Sequence, residues 1–489
     1  MPFHRRRRRL LTRVLQSGLC LCCLAALPVA CRRGGAAAGP AAPAGVTVRV
    51  DAHRERQRLE GFGASVAFYQ NWLVSHPNKE QIYQALFGGL KLDILRLQNA
   101  YRPGSGPNFA RDEADITRGA AQSLGRPVTI LMSSWSPPAA LKSNRSEKEG
   151  GTLARENGDF AYSKFARHWR DSLIAYEAAG IRPTYISIQN EPDFKAEWES
   201  CLFGPSETGG QAGYGRALDA VYNAVQTLPQ PPRLVGPETL GIDGGNPQRY
   251  LPPSNAVRLG KVHAVAHHLY SGGTHQDPDT FVPKLQAIRD AYPEKSRWMT
   301  EFGRSDGFQT AWLIHNSLVE EEASAYIYWA GVWPGDDALI TIDNPWKRDA
   351  WANADGFRLN DRYWALKHYA YFTAPGYRRV AVEGGPEEVK VSAFLSPDRA
   401  WLVVVALNTS ESHPADVTLD LKGFPRGPAS AVHQTVFPPS GGGVEAPFQE
   451  LGPLGTDNRI VLPPRAAVTI AVGSPGALPT ATPDGTIRR

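Results

Sequence analysis

The sequence predicts an α/β protein: a (β/α)8 TIM barrel over residues 58–373, with a β-sandwich domain fused to its side from residues 46–57 and 374–473. Three observations predict it. Eight short runs rich in aliphatic and β-branched residues alternate with amphipathic or loop stretches, over a span that suits a closed barrel of ~250 residues or more with insertions. Several of those runs stop abruptly at a polar or acidic residue, and barrel enzymes keep their chemistry at strand C-termini. Beyond residue 373 the apolar period becomes two and turn clusters such as Ser396-Pro397-Asp398 separate the runs, which is the texture of an all-β unit.

The chain begins with an arginine-rich stretch. Residues 1–33 hold eight arginines (Arg5 to Arg9, Arg13, Arg32, Arg33) and no acid, around an apolar, cysteine-containing segment at residues 14–30. That order is a secretion n-region and h-region. Cys31 follows Leu27-Pro28-Val29-Ala30, a lipoprotein-like cleavage box with Pro28 where leucine is usual, and Arg7-Arg8-Arg9-Leu10-Leu11 loosely fits a twin-arginine signal. Residues 1–31 therefore read as a signal peptide, residues 32–45 as a Gly/Ala/Pro-rich tether, and Cys31 as the expected point of any membrane attachment. The expected location is secreted, periplasmic or lipid-anchored at the cell surface. The formal charge of +5 comes from this leader; the rest of the chain is slightly acidic, which argues against a nucleic-acid partner. Four of the five cysteines lie in the leader. Cys201 alone remains, so the body has no intrachain disulfide, and Cys201 reads as a small buried residue.

Val46-Thr47-Val48-Arg49-Val50 alternates as a strand does, and is expected to pair with the far C-terminal part of the chain. The eight barrel strands are expected at residues 59–63, 92–97, 127–132, 185–189, 234–237, 262–267, 298–301 and 325–328. Helices are expected at residues 79–86, 160–179, around Leu218 to Val225, at 279–291, 312–319 and 363–372. In the 160–179 helix, Phe165, Trp169, Leu173 and Tyr176 share one face and Gly180 supplies the stop. Residues 474–489 read as a disordered tail. An open doubly wound sheet is the rival architecture, but Gly61-Phe62-Gly63 is only a fragment of a phosphate-cradling fingerprint.

The residues at the expected strand ends are Arg96, Trp135, Asn190, Glu191, His268, Tyr270, Glu301 and Trp329. Two of them are carboxylates, on strands four and seven, which face each other across a barrel mouth. A carboxylate at the lip of a buried strand is costly unless something uses it. Paired carboxylates in different protonation states are what cleavage of a glycosidic bond needs. No HExxH spacing and no GxSxG elbow occurs, so no metal and no cofactor is expected. Bland readings stand beside these: Glu191 as an acid at a helix start, Glu301 as a structural partner of Arg96, His267 as a core histidine satisfied by backbone, and either tryptophan as core.

In order, Gly61-Phe62-Gly63, Ile94-Leu95-Arg96, Ser134-Trp135-Ser136-Pro137-Pro138, Gln189-Asn190-Glu191-Pro192, His268-Leu269-Tyr270 and Met299-Thr300-Glu301 resemble the motif set of glycoside hydrolase family 30, among the retaining barrel glycosidases. The resemblance implies that Glu191 is the acid/base and Glu301 the nucleophile. It also implies that Asn190 holds a substrate hydroxyl, that Arg96, His268 and Tyr270 position and tune Glu301, and that Trp135 and Trp329 line the floor at the cleaved sugar. It implies a side β-domain whose first strand precedes the barrel. Tyr69, Trp198 and Trp333 are further candidate sugar platforms.

One branch of that family reads glucuronic acid with an arginine in the loop after strand eight. Here that loop, residues 329–337, has no arginine and carries Asp336 and Asp337, which would repel a uronate. The expected activity is therefore an endo-β-1,4-xylanase that does not depend on glucuronic acid, acting on a polysaccharide as a monomer. A β-1,6-glycanase or glucosylceramidase is the alternative within the family, and a non-catalytic carbohydrate-binding protein the alternative outside it.

Overall fold

The computed structural model describes residues 45–439 and 443–474. The expected signal peptide, the tether up to residue 44, and the tail after residue 474 lie outside the described residues. Among the described residues no helix is long and apolar enough to cross a membrane.

Eight parallel strands close into a barrel: Gly61–Ser65, Ile94–Gln98, Thr129–Ser133, Tyr185–Ser187, Arg233–Thr239, Val262–His268, Ser296–Glu301 and Ala325–Tyr328. Each strand neighbours its predecessor, and the last returns to the first through Ala325–Gly61 and Tyr328–Ala64 pairs. Ile94, Leu131, Val235, Ala264, Ala266, Trp298, Ala325 and Ile327 fill the interior. The alternate residues face the helices, so both faces are buried and the strands read as nearly unbroken apolar runs. Gly63 is required by this closure: a Cβ there would lie 2.4 Å from the Ile94 carbonyl oxygen on the neighbouring strand.

The eight expected barrel strands all form, with ends shifted by at most two residues. The first begins at Gly61 because Leu59 and Glu60 turn away, donating their N–H groups to Tyr377 O and Ser324 O at 2.7 Å each. The regular part of the fourth stops at Ser187, but Asn190 N still donates to Ser134 O (2.7 Å) and Glu191 N to Glu238 O (2.9 Å), which ties both residues to the neighbouring strands.

The longest helix that was not expected follows strand two; the short helices Gln70–Ser75, Asn246–Tyr250 and Ala256–Leu259 were not expected either. Arg111–Leu124 connects strands two and three, and buries Ile116, Gly119 and Ala120. Its composition is mostly polar, so no apolar run marks it, although its few apolar residues do recur at helical spacing. The expected 79–86 helix divides into Lys79–Tyr83 and a π-turn at Gln84–Gly89. Helix Gly307–Val319 starts earlier than expected, on a capping box in which Asp306 accepts from Gln309 N (2.7 Å) and Gln309 Oε1 accepts from Asp306 N (3.1 Å).

The side domain is one curled nine-stranded sheet. Val46–Arg58 lies inside it, parallel to Ala415–Lys422 and antiparallel to Arg378–Glu383, as the expected pairing with the C-terminal region required. In strand Trp401–Asn408, Val403, Val405 and Leu407 pack into the barrel's outer core, while Leu402, Val404 and Ala406 pack into the domain's own core with Val48, Leu419 and Ile470. A strand buried on both faces loses its alternation, which accounts for the continuous Leu402-Val403-Val404-Val405-Ala406-Leu407 run. Buried His368, on helix Asp361–Ala370, ties barrel to sheet through Thr469 and Thr435 hydroxyls at 2.8 Å each.

Candidate active site

Arg96 leaves the second strand fully buried and organises the barrel mouth. Its NH1 lies 2.5 Å from Glu301 Oε2, its NH2 donates to Asn190 Oδ1 at 2.6 Å, and its Nε donates to Ser133 Oγ at 3.2 Å. Its NH2 also sits 3.2 Å from Glu238 Oε1. One guanidinium thus answers two buried carboxylates, the arrangement that makes burial of such charges tolerable.

Glu301, the last residue of strand seven, accepts a second hydrogen bond from Tyr270 OH (3.0 Å). Glu191 lies across the mouth with its Oε1 3.1 Å from His268 Nδ1. One oxygen from each of Glu191 and Glu301, and a ring nitrogen of His268, all lie within 4.8 Å of one another. The two carboxylates are therefore about as close as the ~5–5.5 Å that a retaining pair needs, and closer than the ~6.5–9.5 Å of an inverting pair.

The electrostatics separate the two. Burial, then the neighbouring Glu301 and Asp193 carboxylates, push Glu191 well above the ordinary carboxyl range. Burial also raises Glu301, but the Arg96 charge and hydrogen bonds from Arg96 and Tyr270 oppose it, and the like-charge contribution of Glu238 is smaller. Among the described residues no Lys or Arg touches Glu191, so it is the better proton holder. Burial, with Arg96 and His267 adding, keeps His268 well below the usual imidazole range and hence neutral.

A cavity of about 600 Å³ opens above this pair, lined by Glu191, Glu301 and Tyr270, by Trp135, Trp329, Trp333, Phe68 and Tyr69 on an aromatic wall, and by Trp198, Arg304 and Asp337 towards the rim. Trp135 and Trp329 meet at 5.9 Å between ring centroids, and Arg96 lies 4.7 Å from the Trp135 ring. Gly303 permits the wall: a Cβ there would lie 1.7 Å from Trp329 O. This explains the glycine two positions after Glu301.

All eight expected site residues converge here. His268 lies nearer Glu191 than Glu301, whose Oε1 is 4.0 Å from its Nδ1, so its contact differs from the one the resemblance implied. His267 does not rest on backbone alone: its Nδ1 is 3.2 Å from His268 O, and its Nε2 is 2.8 Å from the buried carboxylate of Glu321. Tyr69, Trp198 and Trp333 all reach the cavity. Sequence reasoning missed Glu238, Phe68 and Arg304. Glu238 is fully buried at the end of strand five, with a left-handed backbone (φ 54°). Only its place at a strand end pointed to it.

No family model matches the chain. It is 24% identical over 398 residues to glucuronoxylanase XynC of Bacillus subtilis, covering 75% of this chain and 78% of that enzyme. It is 32% identical over 307 residues to an endo-1,6-β-D-glucanase of Neurospora crassa, covering 58% of this chain and 57% of that one. Among solved structures, the glycoside hydrolase family 30 subfamily 8 xylanase Xyn30A of Clostridium acetobutylicum superposes with a TM-score of 0.67 at 18% identity, over 88% of this chain and all of that one.

Proposed function

We infer that this chain, a member of glycoside hydrolase family 30, hydrolyses β-glycosidic bonds in a polysaccharide with retention of configuration. The observation that carries the reading is the Glu191–Glu301 pair, with oxygens within 4.8 Å on facing strands beneath an aromatic-walled cavity. In the first step Glu301 attacks the anomeric carbon as the glycosidic bond breaks, and Glu191 gives its proton to the leaving oxygen. Arg96 and Tyr270 hold the Glu301 carboxylate in one rotamer, and Asn190, itself fixed by Arg96, faces the sugar hydroxyl beside the reacting carbon. Once Glu301 is esterified its charge is gone, and with it one of the forces raising Glu191. Glu191 then becomes the stronger acid in its protonated form and, ionised, takes a proton from the water that displaces Glu301.

The substrate read from the chain is β-1,4-xylan without dependence on glucuronic acid. The loop after strand eight supplies Asp337 to the cavity rim and no arginine. The 32% identity to an endo-1,6-β-glucanase favours β-1,6-glucan as the second reading. Export to the cell exterior, with or without a lipid on Cys31, follows from the leader sequence. Incubation with a 2-fluoro sugar bearing a good leaving group tests the chemistry: covalent label on Glu301 is expected, and an unlabelled protein that still binds glycan would make it a carbohydrate-binding protein instead.

A further inference from the structure

We propose that the aromatic wall continues out of the cavity as an extended glycan-binding track ending on Trp346, so that the protein grips a β-linked chain several sugars beyond the bond it cuts. The proposal rests on the glycosidase reading above.

The track is continuous. Trp329 in the cavity wall meets Trp333 at 5.8 Å between ring centroids, Trp333 meets Tyr69 at 4.4 Å, Tyr69 meets Trp72 at 5.1 Å, and Trp72 meets Trp346 at 6.3 Å. The last three contacts are edge-to-face, at 71°, 88° and 84°, so each ring is braced by its neighbour's edge. Trp329, Trp333, Tyr69 and Trp72 are all half-buried, and Trp346 is 59% exposed. An indole left that open has no account as core.

The loop that carries Trp346 is held in shape. Asp343 N donates to Gly356 O (2.8 Å), and Asn353 donates to Asp343 Oδ2 through its backbone N (2.9 Å) and its Nδ2 (3.1 Å). Trp346 N donates to Asn344 Oδ1 (3.0 Å), and Trp351 Nε1 to Asn344 O (2.8 Å). The loop belongs to the insert after strand eight, whose small sheet pairs Val332–Trp333 with Ile340–Ile342 and Ile340–Ile342 with Phe357–Leu359. One insert thus supplies both Trp333 in the wall and Trp346 outside. A platform fixed before binding orders little on contact. The occupant is a glycan because the rings start beside the paired carboxylates, and a sugar ring offers a C–H face to an aromatic ring.

Trp346→Ala and Trp346→Phe, each in a Glu301→Gln chain, are compared by affinity electrophoresis in soluble xylan and in β-1,6-glucan. Retention by at least one polymer is expected for the parent, roughly threefold to tenfold weaker for Trp346→Ala, with Trp346→Phe recovering most of it. In chains retaining Glu301, kcat/KM on the polymer falls by a similar factor, while a chromogenic monosaccharide glycoside is turned over unchanged. Unaltered retention by Trp346→Ala, a parent retained by neither polymer, or an equal fall on polymer and monosaccharide overturns the track. A Glu301-bearing chain that cleaves neither polymer overturns the proposed function instead, and retention still decides the track.

Discussion

Arg96 and Glu301, 205 residues apart in sequence, form a buried ion pair at 2.5 Å beneath the barrel mouth, and the same guanidinium holds Asn190 at 2.6 Å and Glu238 at 3.2 Å. Removing the cation leaves two carboxylates buried and unpaired. Arg96→Met is expected to cost about 3–5 kcal/mol of stability and to lower kcat/KM by ~100-fold or more. Thermal melting and steady-state kinetics on one preparation check both.

Glu191 sets the alkaline side of the activity profile. Its proton is held above the usual carboxyl range by burial and by Glu301, so activity should persist into that range and fall as pH rises through the Glu191 value. The same shift is a stability term. The unfolded chain gives up this proton near the ordinary glutamate value of about 4.3, whereas the folded chain keeps it longer. The contribution to folding is therefore complete below that pH and is lost as pH climbs through the folded value. Glu191→Gln should lack the alkaline limb and melt at the wild-type temperature in acid. Near neutral pH it should melt above wild type, by about 2 °C or more. Melting curves of both proteins across pH decide it; a variant whose melting advantage over wild type is no larger at pH 7 than at pH 4 contradicts it.

Tyr270 donates to Glu301 Oε1 at 3.0 Å and so favours its ionised form. Tyr270→Phe should reduce kcat by roughly 10- to 100-fold, the value of a hydrogen bond to a charge. Losing a donor to the anion raises the Glu301 value, so the acid limb of the pH profile should move to higher pH. An acid limb left in place would show that the phenol does not tune Glu301.

Plain and glucuronate-substituted xylan should be cut at comparable rates, measured as reducing ends. Asp337 stands at the rim of the cavity, while Asp336 is engaged by Arg358 at 2.7 Å. Strict dependence on the substituent would instead assign uronate reading to Arg304, which lies on the cavity wall 5.0 Å from the Tyr270 ring.

The strand Val46–Arg58 contributes no residue to the site, yet Val48, Val50 and Ala52 are completely buried and the strand is paired on both edges. A chain starting at residue 45 should fold and turn over substrate. One starting at residue 59 should yield no cooperative melt, because two unpaired edges and a hole in the side core are exposed together. Circular dichroism melts of the two truncations test this.

Legibility followed the physics of each element. Barrel strands buried on both faces stood out as apolar runs, and Glu191 and Glu301 stood out because a carboxylate punctuates each run. Helix Arg111–Leu124 stayed hidden, since it buries little and reads as a solvated stretch. Glu238 stayed hidden because the fifth strand was expected to stop at Pro237, one residue short of it.

The residues alone determined the barrel, the side domain and the identity of the facing acids, because period and punctuation are local properties of a chain. The closed ring of strands decided what depends on contacts distant in sequence: the 4.8 Å limit on the pair's separation, the nearness of His268 to Glu191, and the sharing of one guanidinium between Glu301 and Glu238. Those follow from strand register and closure, which no single segment contains.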